Sequence, residues 1–157
     1  MEIQTLDKAG IDLIAEFEGC ILKPYHDQVG IPTIGIGMTY YPETDKKVTM
    51  QDVPLSSVAE AYRQFSLMVK PDCLAVYSTT RDDLTQNQFN ALVSLTYNIG
   101  DGGFKGSTVH RLVNSNVSGQ ELEAAFLMWD KAHKDGVAVI VPDLKERRKK
   151  EYQTYIS

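Results

Sequence analysis

Residues 85–100 read TQNQFNALVSLTYNIG and predict a helix at the centre of a folded core. Thr85 can begin this helix and Gly100 can end it, because threonine is a common N-cap and glycine a common C-cap. Between Phe89 and Ile99, seven of eleven residues are apolar or aromatic. A helix that is apolar on most of its sides is normally buried. We therefore expect other elements of the chain to pack around it.

The composition is that of an ordinary globular protein. The chain has 157 residues, of which 43% are hydrophobic and 24% charged, which excludes disorder, collagen and coiled coil as descriptions of the whole. The length fits one domain, or one domain with two lobes. The net charge of −5 argues against a mainly electrostatic nucleic-acid binder, because phosphates are neutralised by clustered Lys and Arg.

Cysteines and histidines indicate neither a disulfide framework nor a metal site. Cys20 and Cys73 allow at most one bridge, and two buried thiols are the simpler expectation. The three histidines are scattered, without the spacing of a metal motif. No apolar stretch approaches the ~20 residues that cross a bilayer, and the N-terminus lacks the apolar region of a secretion signal. We expect no metal or cofactor, no membrane insertion, and synthesis in a cytoplasm.

The first fifty residues predict one helix followed by a small antiparallel sheet. Apolar residues repeat at helical spacing from about Thr5 to Glu18, and Gly19 can end that helix. From Cys20 to about Val53, glycines and prolines separate short β-branched runs. If residues 33–37 form a strand, Thr33 and the two glycines share one smooth face. The alternative is that the glycines mark a bulge.

The remaining chain predicts further helices. Pro54 and residues 56–57 can begin a helix that runs to about Met68, and Pro71 should kink or end it. The architecture predicted is α+β, in one domain of residues 1–157. A small β-containing N-terminal lobe, about residues 1–60, lies beside a mainly helical C-terminal lobe, about 61–157. The later helices are predicted over Ser107–Asn114, Gln120–His133 and Asp143–Tyr155.

Glu18 is a candidate general acid. It lies on the apolar stripe of the first helix and at its C-terminal end, where desolvation and the helix dipole both disfavour a charged carboxylate. A carboxyl that keeps its proton near neutral pH is what a general acid requires. The alternative is a structural Glu that accepts capping hydrogen bonds or pairs with an arginine.

Asp27, in the turn YHDQVG, is a candidate second carboxylate. The alternative is that it only bonds its own backbone, as Asp commonly does in turns. Glycoside hydrolysis needs two carboxyl groups that flank the scissile bond, one as proton donor and one as nucleophile or activator of water. A Glu at a helix end and an Asp in a turn can supply that pair.

Three residue types at two fixed spacings make this region resemble the tailed-phage lysozymes, glycoside hydrolase family 24. The Glu–Asp–Thr triad of that family has spacings of nine and six residues, which Glu18, Asp27 and Thr33 reproduce. The resemblance runs from about residue 10 to the C-terminus and is weakest around residues 40–80 and 133–143. It also includes residues 34–37 (IGIG), 84–89 (LTQNQF), 98–100 (NIG), Trp129, Leu144, Arg147, Arg148 and Glu151.

The resemblance implies a lysozyme-like fold with two lobes that flank a cleft. It also implies an endolysin, a muramidase that hydrolyses the β-1,4 bond between N-acetylmuramic acid and N-acetylglucosamine in peptidoglycan and so lyses the host cell wall. Glu18 is then the catalytic acid. Asp27 activates water or stabilises the oxocarbenium-like transition state, and Thr33 helps to place that water. Inversion is favoured over retention.

The resemblance also implies contacts with the substrate. The candidates are Thr39, Tyr97, Asn98, Ser107 and Thr108. For Tyr97 the alternative is an ordinary core aromatic, and for Ser107 it is capping of the next helix.

Three features depart from the family pattern. Met38 stands where the family commonly has His, and Pro32 where an aromatic residue is frequent. The negative net charge should weaken attraction to the anionic wall. The basic run Lys145–Lys150 partly offsets that charge. The alternative interpretation of this run is an ordinary solvated helix face.

The family also implies how the protein reaches its substrate. We expect a monomer that accumulates in the bacterial host cytoplasm. A separate holin-like permeabilising protein then gives it passage to the wall, while delivery in a virion or by secretion is compatible as well. The rival functions are an inactive wall-binding module, a chitinase and a lytic transglycosylase.

Overall fold

The computed structural model describes residues 3–134 and 137–157, which form helices with two short hairpins. They fall into two compact units, one of residues 11–71 and one of residues 72–157 with the residues up to Gly10. The helices are α1 Lys8–Glu18, α2 Val58–Met68, α3 Lys70–Thr79, α4 Gln86–Ile99, α5 Asp101–Lys105, α6 Thr108–Asn114, α7 Gln120–Leu127 and α8 Pro142–Ile156. The strands are β1 Ile21–His26, β2 Pro32–Gly35, β3 Lys131–Lys134 and β4 Val137–Ile140.

The smaller unit contains the predicted antiparallel sheet. Strand β1 pairs with β2, with Tyr25 opposite Thr33 and His26 opposite Pro32. The pairing is irregular between Ile21 and Tyr25. Because the sheet has only two strands, Pro32 lies in an edge strand, where its missing N–H is tolerated.

Of the two alternatives left open for residues 33–37, a continuous strand is not what the structure shows. Strand β2 ends at Gly35, and the chain folds back in a tight turn in which Ile34 and Met38 exchange two backbone hydrogen bonds of 2.9 and 3.0 Å. Gly35 and Gly37 have φ angles of +62° and +60°, a region that favours glycine. The smooth strand face therefore does not exist, and the two glycines build a turn instead.

Helix α2 contacts β2, and both α1 and α2 contribute buried apolar residues to this unit. Gly19 ends α1 with a positive φ, as predicted, and Ser57 caps α2 by accepting a hydrogen bond from the amide of Glu60. Met38, at the position where the family commonly has His, is a buried core residue. The core of this unit includes Ile11, Leu13, Ile14, Ile34, Ile36, Met38, Ala61, Phe65 and Met68.

Helix α4 is the buried centre of the larger unit, as the sequence predicts. Thr85 and Gln88 form a reciprocal capping box, and Gly100 ends the helix. Every residue from Phe89 to Thr96 is buried. Helix α8 packs against both α4 and α7.

The predicted helix Gln120–His133 is too long. Helix α7 ends at Leu127, and residues from Lys131 pair with β4 in a second antiparallel hairpin. The larger unit is therefore helical with one hairpin. The side chain of His133 lies outside the described residues.

The basic run in α8 is not a fully solvated face. Arg147 and Arg148 are buried, with 4% and 0% exposure, and both pair with the fully buried Glu151. The Arg148 Nε to Glu151 Oε1 distance is 2.7 Å, and Ser94 donates a 2.6 Å hydrogen bond to Oε2 of Glu151. These ion pairs lie within α8, and the hydrogen bonds of Glu151 and Arg147 to Ser94 join α8 to α4.

Two further expectations concern the thiols and the membrane. Cys20 and Cys73 are both free thiols, so they form no bridge with each other. In the described part of the chain, no helix has the length and apolarity that a bilayer span requires.

Candidate active site

Glu18 is the last residue of α1, and its side chain lies against the turn that follows β2. A Cβ placed on Gly37 would lie 2.8 Å from Oε2 of Glu18 and 3.3 Å from its Cβ. Such distances exist only because residue 37 has no side chain. The half-buried Glu18 carboxyl is thus packed directly on the Gly37 backbone.

Asp27 follows β1 directly and organises the turn to β2. Its Oδ1 accepts hydrogen bonds of 2.9 Å from the amides of Val29 and Ile31. Its backbone amide donates to the carbonyl of Ile31, and the amide of Gly30 donates to the carbonyl of Asp27. Asp27 therefore does bond the backbone of its own turn, and these hydrogen bonds fix the position of its carboxylate. Oδ2 accepts no hydrogen bond from the residues that the structure describes.

Thr33 lies in β2, opposite Tyr25, and is 2% exposed. Its hydroxyl donates a 2.9 Å hydrogen bond to the carbonyl of Ile31. Because the proton is used in this way, the lone pairs of Oγ1 remain able to accept a hydrogen bond.

One pocket brings the three residues together. It has a volume of about 480 Å³ and lies wholly within the smaller unit. Two carboxyl groups and a hydroxyl around one hollow are the groups that acid–base hydrolysis of a glycoside needs. The described residues contain no cluster that could hold a metal ion. The lining is Phe17, Glu18, Tyr25, His26, Asp27, Gln28, Val29, Thr33 and Gly37.

Tyr25 also lines the pocket; it belongs to the stretch that resembles the family's active-site region, but no catalytic or binding role was predicted for it. Burial raises the pKa of its phenol, and the charges of Glu18 and Asp27 raise that pKa further. The phenol therefore stays protonated at neutral pH and can donate a hydrogen bond into the pocket. Tyr25 lies in β1 opposite Thr33, and Asp27 follows that strand directly, so the pairing of the two strands brings Tyr25 to the pocket.

Thr39 is half-buried just beyond the tight turn and is not among the residues that line this pocket. Its carbonyl accepts a hydrogen bond from the amide of Val48. The structure therefore shows a backbone role for Thr39.

The other four candidates for substrate binding belong to the larger unit. Tyr97 is half-buried and Asn98 exposed, both near the end of α4. Ser107 is buried and caps α6, because its Oγ accepts from the amide of His110 and donates to the carbonyl of Phe104. The capping alternative is thus what the geometry of Ser107 shows. Thr108 is the half-buried first residue of α6.

Comparison with known proteins gives a consistent result. The family model described as phage lysozyme matches residues 15–151. An endolysin of Salmonella phage P22 is 37% identical over 156 residues, which cover 99% of this chain and 100% of that protein. An endolysin of the secondary-endosymbiont phage 1 of Acyrthosiphon pisum is 32% identical over 148 residues, 93% of this chain and 94% of that one.

Solved structures agree. The endolysin from Escherichia coli O157:H7 phage FAHEc1 superposes with a TM-score of 0.89 at 32% identity, covering 100% of this chain and 97% of that one. The muramidase domain of SpmX from Asticaccaulis excentricus has a TM-score of 0.81 at 28% identity, with 99% of each chain covered. The α+β, lysozyme-like fold is confirmed. The chain accordingly belongs to the phage lysozyme family and is a glycoside hydrolase, a lysozyme that cleaves peptidoglycan.

Proposed function

We propose that this lysozyme hydrolyses the β-1,4 bond between N-acetylmuramic acid and N-acetylglucosamine, with Glu18, Asp27 and Thr33 as its catalytic residues. The observation that supports this assignment is that all three line one pocket. Their spacing along the chain matches the triad of the family that the comparisons identify.

Glu18 acts as the general acid. It donates its proton to the glycosidic oxygen as the bond from that oxygen to the anomeric carbon breaks, which leaves an oxocarbenium-like sugar. Asp27 accepts a proton from a water molecule, and the oxygen of that water forms the new bond to the anomeric carbon. The proton lost by Glu18 is thereby balanced by the one that Asp27 gains.

Thr33 positions the attacking water. Its hydroxyl proton is bound to the carbonyl of Ile31, so Oγ1 faces the water as an acceptor. Attack from the face opposite the leaving group inverts the anomeric configuration. NMR of the first product formed distinguishes the α-anomer expected here from the β-anomer that retention would give.

The remaining parts of the proposal concern binding and delivery. We propose that Thr39, Tyr97, Asn98 and Thr108 contact the glycan directly. Ser107 contributes indirectly, because it caps the helix that begins with Thr108. The protein is a monomer that consists of one lysozyme-like domain, and its reaction needs no cofactor. It accumulates in the host cytoplasm until a holin-like protein permeabilises the membrane, and it then acts on the wall.

The test is cleavage of purified peptidoglycan by the wild type and by Glu18→Gln. We expect the wild type to clear the suspension and the variant to lose about 10²–10⁴-fold in rate. Glu16→Gln is the matched control, because Glu16 lies on the same helix and is exposed. An inert wild type that still binds the wall would show a binding module.

Product analysis decides between the rival reactions. Mass spectrometry of the released fragments should show reducing muramic acid ends, which hydrolysis produces. Anhydro ends would show a lytic transglycosylase, in which the second carboxylate has no role. Cleavage of chitin in preference to peptidoglycan would show a chitinase.

A further inference from the structure

We infer that Gly37 is a positioning residue for the reaction, since its lack of a side chain leaves the space in which the Glu18 carboxyl sits. The inference rests on the proposed role of Glu18 as the acid. It concerns the geometry of that acid and not a contact with the substrate.

The contact at Gly37 is unlike those at the other glycines with positive φ. A Cβ on Gly37 would lie 2.8 Å from Oε2, 3.3 Å from Cβ and 3.5 Å from Cδ of Glu18. At Gly35, the corresponding atoms would be the tips of Leu55 and Met38, at 3.1 and 3.2 Å. A Cβ on Gly119 would meet nothing within 4 Å. Of these three glycines, Gly37 is the one at which a carboxyl group of the pocket occupies the space that a side chain would need.

If a methyl group is added at residue 37, the side chain of Glu18 is the part that must move. The Gly37 backbone is fixed by the two hydrogen bonds between Ile34 and Met38, of 2.9 and 3.0 Å. Oε2, by contrast, is the end of a side chain with several rotatable bonds. Restoring ordinary van der Waals contact moves that oxygen by roughly half an ångström, without opening the turn.

A displacement of this size acts on catalysis more than on folding. A misplacement on the order of 1 Å can cost about a hundredfold in rate, because proton transfer depends steeply on the donor geometry. We expect Gly37→Ala to lower kcat by about 10- to 100-fold. KM should stay within about twofold, because interactions with the bound ground state are kept.

The first experiment measures kcat, KM and Tm of Gly37→Ala and of Gly119→Ala on soluble peptidoglycan fragments. Gly119 has a φ of +86°, so its alanine variant imposes at least as much backbone strain as one at residue 37, without a steric contact. We expect the control to keep the wild-type kcat. A wild-type kcat in Gly37→Ala overturns the inference, and so does an unchanged kcat with a raised KM, which would indicate substrate contact.

A double-variant cycle asks whether Gly37 acts through Glu18. In the Glu18→Gln background, Gly37→Ala should lower kcat by less than about twofold, because the acid whose position it disturbs is already gone. Losses that multiply in the double variant would overturn the inference. If Gly37→Ala alone fails to fold, the Tm of the double variant Glu18→Ala, Gly37→Ala is measured in place of kcat. Recovery of folding there supports the steric contact, and no recovery contradicts it.

The two proposals fail in different ways. If Glu18→Gln keeps the wild-type rate, the assignment of the acid is wrong. If Glu18→Gln is inactive while Gly37→Ala is as active as Gly119→Ala, only the role of Gly37 is wrong.

Discussion

The amide of Ile31 donates a 2.9 Å hydrogen bond to Oδ1 of Asp27, and the amide of Asp27 donates one of the same length to the carbonyl of Ile31. The carboxylate thus closes the turn from β1 to β2 and faces the pocket at the same time. A turn role and a catalytic role, which the sequence presented as alternatives, are compatible in one side chain because they use different oxygens.

Asp27→Asn should separate the two roles. The amide oxygen of Asn can accept the same two backbone hydrogen bonds, so Tm should remain within about 2 °C of the wild type. Asn cannot take a proton from water, so peptidoglycan cleavage should fall by about 10²-fold or more.

Asp27→Ala is the comparison for that variant. It removes both hydrogen bonds from Oδ1 and should lower the free energy of unfolding by about 1–2 kcal/mol, measured by urea titration. Equal destabilisation by Asn and Ala would contradict the division of labour between the two oxygens.

Thr33→Val should reduce activity with little loss of stability. Valine has nearly the same shape, and the carbonyl of Ile31 keeps its hydrogen bond from the amide of Asp27. The water loses its acceptor, so kcat should fall by about 10-fold or more, measured on peptidoglycan fragments. Thr33→Ser keeps the hydroxyl and should retain most of the rate. Loss of rate in Ser and Val alike would indicate packing, not water placement.

Glu151→Ala should be among the most destabilising single changes in the larger unit. It leaves Arg148, which is 0% exposed, without its ion-pair partner, and removes the acceptor of the Ser94 hydroxyl. Removing one partner of a buried pair costs about 3–5 kcal/mol. Thermal or urea unfolding measures this loss.

The matched control is Glu146→Ala in the same helix. Glu146 pairs with Lys149 at 3.5 Å, also at a spacing of three residues, but both side chains are exposed. Its loss should change stability by less than about 0.5 kcal/mol. Similar values for the two variants would refute the argument from burial.

Stability should depend on pH through Asp72, in α3. Burial, and next the charge of Asp101, raise the pKa of Asp72 to about 6. Its value in the unfolded chain is 3.8, so the folded state binds more protons between these values. The resulting stabilisation is complete below about pH 4 and is lost as the pH rises through 6.

Asp72→Asn should therefore stabilise the protein at pH 8 and have little effect at pH 4. Because Asp72 is partly exposed, the gain at pH 8 should be about 1 kcal/mol, less than the pKa alone suggests. Urea titrations at both pH values measure it, with the exposed Asp82→Asn as control. A gain of the same size at pH 4 would exclude titration as the cause.

Elements with local signals could be predicted from the sequence. Helix α4 was expected between Thr85 and Gly100 and runs from Gln86 to Ile99, because its capping box and its C-terminal glycine act within one turn of helix. The spacing of Glu18, Asp27 and Thr33 could also be read directly, and with it the family. The structure places these residues at the end of α1, after β1 and in β2.

Elements that depend on distant partners could not be predicted. Residues 131–134 contain no helix breaker, and they form a strand because residues 137–140 pair with them. Arg147 and Arg148 resemble a solvated face by composition, yet they are buried, and Ser94 of the distant helix α4 bonds both Arg147 and Glu151. Charge and periodicity alone do not reveal such partners.

By itself, the sequence determined the central helix, the chemical groups of the reaction and their order along the chain, since these depend on residue type and local spacing. Only the tertiary structure decided that residues 34–38 form a turn, with Glu18 packed on Gly37, and that Tyr25 joins the pocket. A glycine permits a positive φ but does not require it. The packing of a helix end against that turn selects the conformation and, with it, the position of the Glu18 carboxyl.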